Sequence, residues 1–367
     1  MKAAVFRGVD RLLSIEDIPL PQAGAGELVL RVYCCGVCGS DLHATHPGVF
    51  TVKSGTVLGH EFAGEIVESG AAGWKVGERV TALPNNACNG CVADGHRECR
   101  EGLGMICPNN RLTGFSPNRP GALADYVKVP VGQALRLPAA VGEREGALLE
   151  PLAVGLHAVQ SGRVGLADRV LVIGGGPIGL AVSTFSRQAG ATHVVVSEFA
   201  SGRREMATRF GATAVIDPAA GEPAGEAFAR ATGGAPDVIF ECVGAPGLIQ
   251  QCVDLSRPRG RVVVVGVCPT EDRVLPQRAM AKEISLQFVM GYGKPDWQRV
   301  LALLDAGSVD PAPMITDTVS LDDLPAAFEA LRRPTTQIKL LVRPGSTPSR
   351  SASGRKSTLE SSDSLPR

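Results

Sequence analysis

The stretch Arg169-Val170-Leu171-Val172-Ile173-Gly174-Gly175-Gly176-Pro177-Ile178-Gly179 decides the fold. Its first five residues are an apolar run short enough to be a buried strand. Three glycines follow, and residues 178–188 then read as a helix. Gly174, Gly176 and Gly179, with Pro177 and Ile178 between the last two, fit G-x-G-x-x-G. In a chain with 44 glycines that spacing alone carries little. Directly after a strand and at the opening of a helix it has a mechanism. Gly174 permits a tight turn, Gly176 lets the backbone approach a pyrophosphate, and Gly179 lets the helix pack closely on the strand. The free N–H groups of the helix start then face the phosphates.

The same alternation continues outward. Residues 193–197, 237–241 and 261–265 are further strand-like runs, separated by helix-like segments. That rhythm predicts a parallel sheet covered on both faces. The strand at 193–197 ends at Glu198, 19 residues after Gly179, where the fingerprint expects an acid on the adenosine ribose. A carboxylate there repels a 2′-phosphate and favours NAD over NADP. Arg203 and Arg204 pull the other way, since an arginine accepts that phosphate. Residues 1–150 read instead as β-rich, with strands near 29–32, 62–67 and 79–83. Residues 84–121 are rich in Asn, Gly, Cys and Pro, and a loop that long needs another source of order. Glu150-Pro151 is read as the start of a helix, 297–305 as another, and Ser320-Leu321-Asp322-Asp323 as a capping box opening a third. Residues 339–342 read as a strand. In residues 344–367, eight of 24 positions are serine, and such a tail cannot bury enough apolar surface to order itself.

Composition narrows the function classes. Thirty-seven basic residues balance 37 acidic ones, so no net field draws nucleic acid or an anionic membrane. No apolar run reaches membrane-spanning length, and the N-terminus lacks a signal-peptide pattern. The expected location is the cytoplasm, where the ten cysteines stay reduced and a cluster of them suits metal better than disulfides.

Two constellations fit that expectation. Cys88, Cys91, Cys99 and Cys107 give C-x2-C-x7-C-x7-C, a set suited to a closed tetrahedral Zn²⁺ that orders a lobe rather than catalyses. His96 lies inside it and can stand in for one thiol. The second is Cys38-Gly39-Ser40-Asp41-Leu42-His43, followed by Gly59-His60-Glu61 and Glu150-Pro151. A catalytic zinc takes three protein ligands and keeps one position open. Cys38 and His60 are the leading donors, with Glu61 or Glu150 as the third.

Taken together, the glycine fingerprint, the cysteine cluster, Gly36-Val37-Cys38-Gly39-Ser40-Asp41-Leu42-His43 and Gly59-His60-Glu61-Phe62-Ala63-Gly64 resemble the zinc-dependent medium-chain dehydrogenases/reductases over residues 1–343. The resemblance implies an α/β protein: a GroES-like catalytic domain over 1–150 with the zinc lobe at 84–121, a Rossmann NAD-binding domain over 151–289, and a return to the catalytic domain over 290–343. It implies that Asp41 orients the histidine ligand and that Ser40 and His43 relay a proton. The glutamate at position 150 looks like the branch holding sorbitol, threonine and 2,3-butanediol dehydrogenases. The family lobe usually reads C-x2-C-x2-C-x7-C, and five extra residues separate Cys91 from Cys99 here. The implied chemistry is reversible hydride transfer between an alcohol and NAD(H), with two zinc ions per chain and a dimer or tetramer. An NADPH-dependent carbonyl reductase, or a binding module without turnover, are the competing expectations. Substrate contacts are expected from residues 45–50, 112–115 and 288–292, His46 and Tyr292 among them.

Overall fold

The computed structural model describes residues 1–48, 51–86, 96–333 and 336–345. Among the described residues, eighteen strands fall into four sheets. In the three-stranded one, β1 (Lys2–Phe6) lies between β2 (Ser14–Asp17) and β4 (Thr56–Val57). The larger sheet of the β-rich part runs β10 (Ala134–Arg136), β6 (Arg79–Ala82), β5 (Glu61–Ser69), β3 (Glu27–Gly36), β18 (Lys339–Arg343), β17 (Ile315–Ser320), and β9 (Tyr126–Pro130) also pairs with β3. A short ribbon joins β7 (Asn85–Asn86) to β8 (Arg111–Leu112). The end of the chain thus returns to the sheet that its beginning builds. Leu341 pairs with Gly36, and Gly36 pairs on its other side with Glu61.

The remaining sheet is parallel, in the order β13 (Ala214–Ile216), β12 (His193–Ser197), β11 (Arg169–Ile173), β14 (Val238–Glu241), β15 (Arg261–Val264), β16 (Ser285–Phe288). Counted from β11, that order is 3-2-1-4-5-6, the doubly wound dinucleotide-binding arrangement. Alternation along each strand sorts its side chains onto two faces. Val170, Val172, Val194, Val196, Val238 and Phe240 join a core that also takes in Leu149, Leu152, Tyr292 and Trp297. Leu171, Ile173, Val195, Ile239, Val262 and Val264 build a separate core on the opposite face with Phe228 and Ile249. Both faces are buried, which is why these strands read as unbroken apolar runs.

Four helices carry candidate site residues. α1 (Gly39–Ala44) follows β3, α2 (Arg97–Arg100) lies in the 84–121 segment, and α3 (Glu143–Ser161) joins the β-rich part to the parallel sheet. α4 (Pro177–Gln188) opens at the glycine loop with proline in its first turn, where the missing N–H costs no helix bond. α3 and α4 touch closely: a Cβ on Gly155 would stand 2.4 Å from the Ala181 methyl.

Some expectations need correction. Glu150-Pro151 does not begin a helix. α3 starts at Glu143, after Gly142, and Pro151 lies inside it. Burial of Ala147, Leu148, Leu149, Leu152 and Ala153 holds the helix through the proline, which costs one backbone bond there. At 320–323 the side chains do bond, Ser320 Oγ donating to Asp323 Oδ2 at 2.7 Å, but Ser320 ends β17 and the helix begins only at Leu324. Residues 84–121 are not featureless where described: β7, α2, a 3₁₀ turn at Gly104–Ile106 and β8 order them. The strand readings at 169–173 and 193–197 match the observed bounds. Nearly all of the serine-rich tail, from residue 346 on, lies outside the described residues.

Candidate functional site

β3 and β5 lie side by side, so the residues at their adjoining ends meet. β3 runs out at Gly36, Val37 leads into Cys38, and Cys38 precedes α1. β5 begins at Glu61, directly after His60. One donor atom from each of Cys38, His60 and Glu61 lies within 4.8 Å of the others. Asp41, fully buried, ties the two segments together. Its Oδ2 accepts from the Cys38 backbone N–H at 3.0 Å, and its Oδ1 stands 3.4 Å from His60 Nδ1. That fixes the imidazole with Nε2 turned to the Ser40 hydroxyl, 3.4 Å away, while Phe115 covers the ring at 5.1 Å between centroids.

Two more acidic side chains complete the cluster. Glu61 is fully buried, and both its oxygens accept from Lys339 Nζ at 2.7 Å. Glu150, 6% exposed on α3, accepts from the Tyr292 hydroxyl at 2.8 Å. Burial, chiefly, and the Glu61 charge push the Glu150 carboxyl up to about 7, against His60, Tyr292 and Lys339. Burial lowers the His60 pKa, but Asp41 and Cys38 outweigh it and hold the ring well above its usual range. Asp41 Oδ1 and His60 Nδ1 lack a well-aligned hydrogen bond. Buried anions around one imidazole, with a carboxyl that resists ionising, form a pocket that favours a cation. A thiol, an imidazole and a carboxylate are the donor set zinc prefers. The residues fit that ion.

Other expected site residues fall as follows. His43 is half-buried, and burial first, then His46 and Arg332, lower its pKa, so it is neutral near pH 7. Among the described residues no hydrogen bond joins it to Ser40. His46 is exposed and its Nδ1 contacts the Pro47 carbonyl oxygen at 3.1 Å. Thr45 is buried, its hydroxyl donating to the Asp41 carbonyl at 3.1 Å. Phe288 lies 65% exposed on edge strand β16. Phe50 lies outside the described residues. Tyr292 is bonded to Glu150 and packs against Trp297, ring centroids 5.1 Å apart and tilted by 53°, a positioning role that sequence reasoning missed. It missed Lys339 as well. The available signal was one cation inside the apolar run Ile338-Lys339-Leu340-Leu341-Val342, which only a buried partner tolerates.

The glycine loop has the expected geometry. Gly174 has φ +102°, and a Cβ on Gly179 would stand 1.9 Å from the Gly174 carbonyl oxygen. Around Gly176 a Cβ would meet nothing within 4 Å, so the space beside it is open. The Gly175 N–H donates to Glu198 Oε2 at 2.8 Å, and the Ala200 N–H to Oε1 at 2.9 Å. Glu198 therefore braces the loop itself, with Arg203 at 4.0 Å. Both arginines also have other partners within the protein. Arg203 donates to the Gln337 carbonyl, and Arg204 pairs with Asp217 at 2.8 Å. Pro177 and Ile178 form the first turn of α4.

In the second cysteine set, Cys99 sits on α2 and Cys107 follows the 3₁₀ turn, with its Sγ 3.6 Å from His96 Nδ1. Cys88 and Cys91 lie outside the described residues.

Comparison with known proteins gives the family and the fold. Residues 24–139 match the profile of the alcohol dehydrogenase GroES-like domain, and residues 177–306 that of the zinc-binding dehydrogenases. The chain is 33% identical to (R,R)-butanediol dehydrogenase of Bacillus subtilis, over 94% of this chain and 100% of the relative. It is 32% identical to sorbitol dehydrogenase of Gallus gallus, over 88% and 90%. Its fold superposes with TM-score 0.81 and 31% identity on a zinc-binding dehydrogenase of Sinorhizobium meliloti bound to NADP, covering 94% of this chain and 99% of that one.

Proposed function

This chain belongs to the zinc-binding alcohol dehydrogenase family with a GroES-like domain, and we propose that it oxidises a secondary alcohol of a diol or polyol to the carbonyl compound, reversibly, with NAD⁺ as hydride acceptor. One observation carries the reading: a thiol, an imidazole and a carboxylate from separate segments converge within 4.8 Å in a buried anionic pocket. When bound, zinc supplies Lewis acidity that favours loss of the substrate's hydroxyl proton, and the nicotinamide accepts the hydride.

The chain's own residues do the rest. Cys38 and His60 hold the metal with one of the two glutamates, and Asp41 fixes the His60 ring through the contact at 3.4 Å. Ser40 Oγ, next to His60 Nε2, takes the hydroxyl proton. His43, neutral near pH 7, is the further base of the relay; among the described residues no hydrogen bond joins it to Ser40, so a ribose hydroxyl of a bound nicotinamide nucleotide would bridge the two. Phe115 keeps water from the donor cluster. The N–H groups at the start of α4 and the open space beside Gly176 receive the pyrophosphate. The negative charge of Glu198 selects against a 2′-phosphate; solved relatives are described with NADP and with NADH, so those likenesses favour neither nucleotide.

Three further parts belong to this reading. The cysteines at 88, 91, 99 and 107 hold a second zinc that orders the 84–121 lobe. The thiols of both sites need a reducing setting, which suits the cytoplasm; among the described residues no helix is long and apolar enough to cross a membrane. Edge strand β16 is exposed along its length, and with Leu275, Met280 and Phe288 at 58%, 72% and 65% exposure it suits antiparallel pairing with a second copy of itself. The test is NADH or NADPH formation from a panel of secondary alcohols, vicinal diols and polyols, with a metal count per chain. NAD⁺-dependent turnover of a diol by a zinc-loaded chain is expected. Zinc-free turnover, or none on any alcohol with either nucleotide, overturns the reading.

A further inference from the structure

The connection Gly291-Tyr292-Gly293 leads from β16 into the helix Lys294–Asp305 and is tied to α3 at two points. The Tyr292 hydroxyl donates to Glu150 Oε1 at 2.8 Å. Asp296 Oδ2, in the first turn of the helix, accepts from the Gly293 N–H at 2.9 Å and stands 2.9 Å from His157 Nδ1. Glu150 and His157 are two turns apart on one face of α3. The same connection also meets the 84–121 segment. A Cβ on Gly291, whose φ is +61°, would stand 2.6 Å from Met105 Cε and 2.7 Å from its Cγ. A Cβ on Gly293 would stand 2.9 Å from the Gly102 carbonyl oxygen, which accepts from the Lys294 N–H at 3.2 Å. Met105 is itself held. Its carbonyl accepts from Asn110 Nδ2 at 2.9 Å, and the same amide nitrogen lies 3.6 Å from its sulfur. Its side chain packs on the core that contains Tyr292 and Trp297.

We propose that Met105 is a positioning residue for the reaction: it presses on Gly291 and thereby holds the Tyr292 hydroxyl on Glu150. The proposal rests on the reading that the centre around Cys38 and His60 does the chemistry. Tyr292 lies between two glycines, which leave the backbone there free to pivot. The phenol is 1% exposed and has to be held in place for its bond to Glu150 to persist. Trp297 supports the ring, with centroids 5.1 Å apart, and Met105 supports the backbone one residue earlier. An unbranched thioether suits that task, because it lies flat along a bare glycine backbone. Gly102 and Met105 fall between Cys99 and Cys107, so the turn inside the cysteine segment braces the connection that carries Tyr292. That segment then does more than order itself. Loss of the brace lets the phenol drift from Glu150, and displacements of about 1 Å near a reacting centre are enough to slow it.

The test is a double-mutant cycle on the full chain, with kcat for NAD⁺-dependent diol oxidation read at saturating zinc and with metal counted per chain. Met105→Ala and Tyr292→Phe should each lower kcat by about tenfold. If Met105 acts through the phenol, the double variant should also lose about tenfold, not the roughly hundredfold of independent effects. Met105→Leu, which keeps the volume, should stay near wild type. If Met105→Ala does not fold, Met105→Val takes its place in the cycle. A second readout needs no turnover. The chain has two tryptophans, and in a Trp74→Phe parent Trp297 alone reports on the Tyr292 contact. There Met105→Ala should raise acrylamide quenching of Trp297 by about twofold. The proposal is overturned if the two losses in kcat multiply, if Met105→Ala lowers Tm with kcat unchanged, or if Trp297 quenching does not move. It is also overturned if Met105→Ala loses more metal than Tyr292→Phe, since Met105 then serves only the order of the cysteine segment. A wild-type chain without zinc-dependent turnover refutes the reading of the centre, and the proposal with it; an active wild type with multiplied losses refutes the proposal alone.

Discussion

Gly176 and Gly179 differ by three positions in sequence, yet alanine should act on them with opposite sign. At Gly176 the backbone has φ −74° and ψ −177°, which alanine adopts freely before a proline, and a Cβ meets nothing within 4 Å. Gly176→Ala should therefore gain about 0.4–1 kcal/mol by restricting the unfolded chain. That corresponds to about 0.5–1.3 °C in Tm for a chain of this size. The same methyl enters the space assigned to the pyrophosphate and should weaken NADH binding tenfold or more, about 1.4 kcal/mol. At Gly179 the Cβ would stand 1.9 Å from the Gly174 carbonyl oxygen and 3.4 Å from Val172 Cγ1. Normal contact requires α4 to retreat by roughly 1.5 Å. Overpacking of that kind costs about 1–3 kcal/mol. It exceeds the roughly 0.5–1 kcal/mol that alanine gains over glycine within a helix. Gly179→Ala should then lose both stability and nucleotide affinity. Thermal unfolding without nucleotide and NADH fluorescence titration separate the two effects. A Gly176→Ala protein that binds NADH as tightly as wild type would refute the phosphate path, and a Gly179→Ala protein with unchanged Tm would refute the close strand–helix contact.

Three other perturbations have defined outcomes. Tyr292→Phe removes the only hydrogen-bond donor to Glu150 among the described residues, which should lower stability by about 1–3 kcal/mol and loosen zinc, read by denaturant titration and chelator competition. Glu198→Ser strips two backbone N–H groups of their acceptor and removes a charge, so Tm should fall while the ratio of NADP⁺ to NAD⁺ activity rises; an unchanged ratio would discredit Glu198 as the selector. Asp237 opens a pH dependence. Burial opposes its ionisation, but bonds from Arg169, at 2.9 and 3.0 Å, and from Arg257 prevail and hold its pKa below the usual carboxylate value. Its folded pKa lies below the unfolded one, so its stabilisation is present above about pH 4 and is lost as pH falls through the folded value. Asp237→Asn should destabilise at neutral pH and flatten the acid limb of the Tm–pH curve.

The parallel sheet was legible because its four inner strands, β11, β12, β14 and β15, are buried on both faces, which leaves unbroken apolar runs between glycine turns. The glycine loop was legible because its chemistry is local: turn, phosphate path and helix start fall within six residues. Glu150-Pro151 misled because proline marks a helix start when the rest of the helix is solvent-exposed, and here it is not. Burial on either side of Pro151 carried α3 back to Glu143. Cys38, His60 and Glu61 were found as candidates by residue type, but their convergence depends on the β3–β5 register, which no local pattern encodes. Lys339 and Tyr292 lie 278 and 142 residues from the carboxylates they hold, so only the assembled sheet reveals them. Sequence spacing left the choice between Glu61 and Glu150 open. It is their partners, an ammonium and a phenol, that set them apart.

The most direct measurement is NAD⁺-dependent oxidation of a vicinal diol by metal-stripped protein, followed as zinc is titrated back into wild type and Cys38→Ser. In wild type the rate should rise in proportion to zinc bound and reach its plateau when the site is full. In Cys38→Ser it should stay at background throughout. A rate independent of zinc, or a Cys38→Ser protein as active as wild type, would contradict the assignment of Cys38, His60 and a neighbouring glutamate as the centre that does the chemistry.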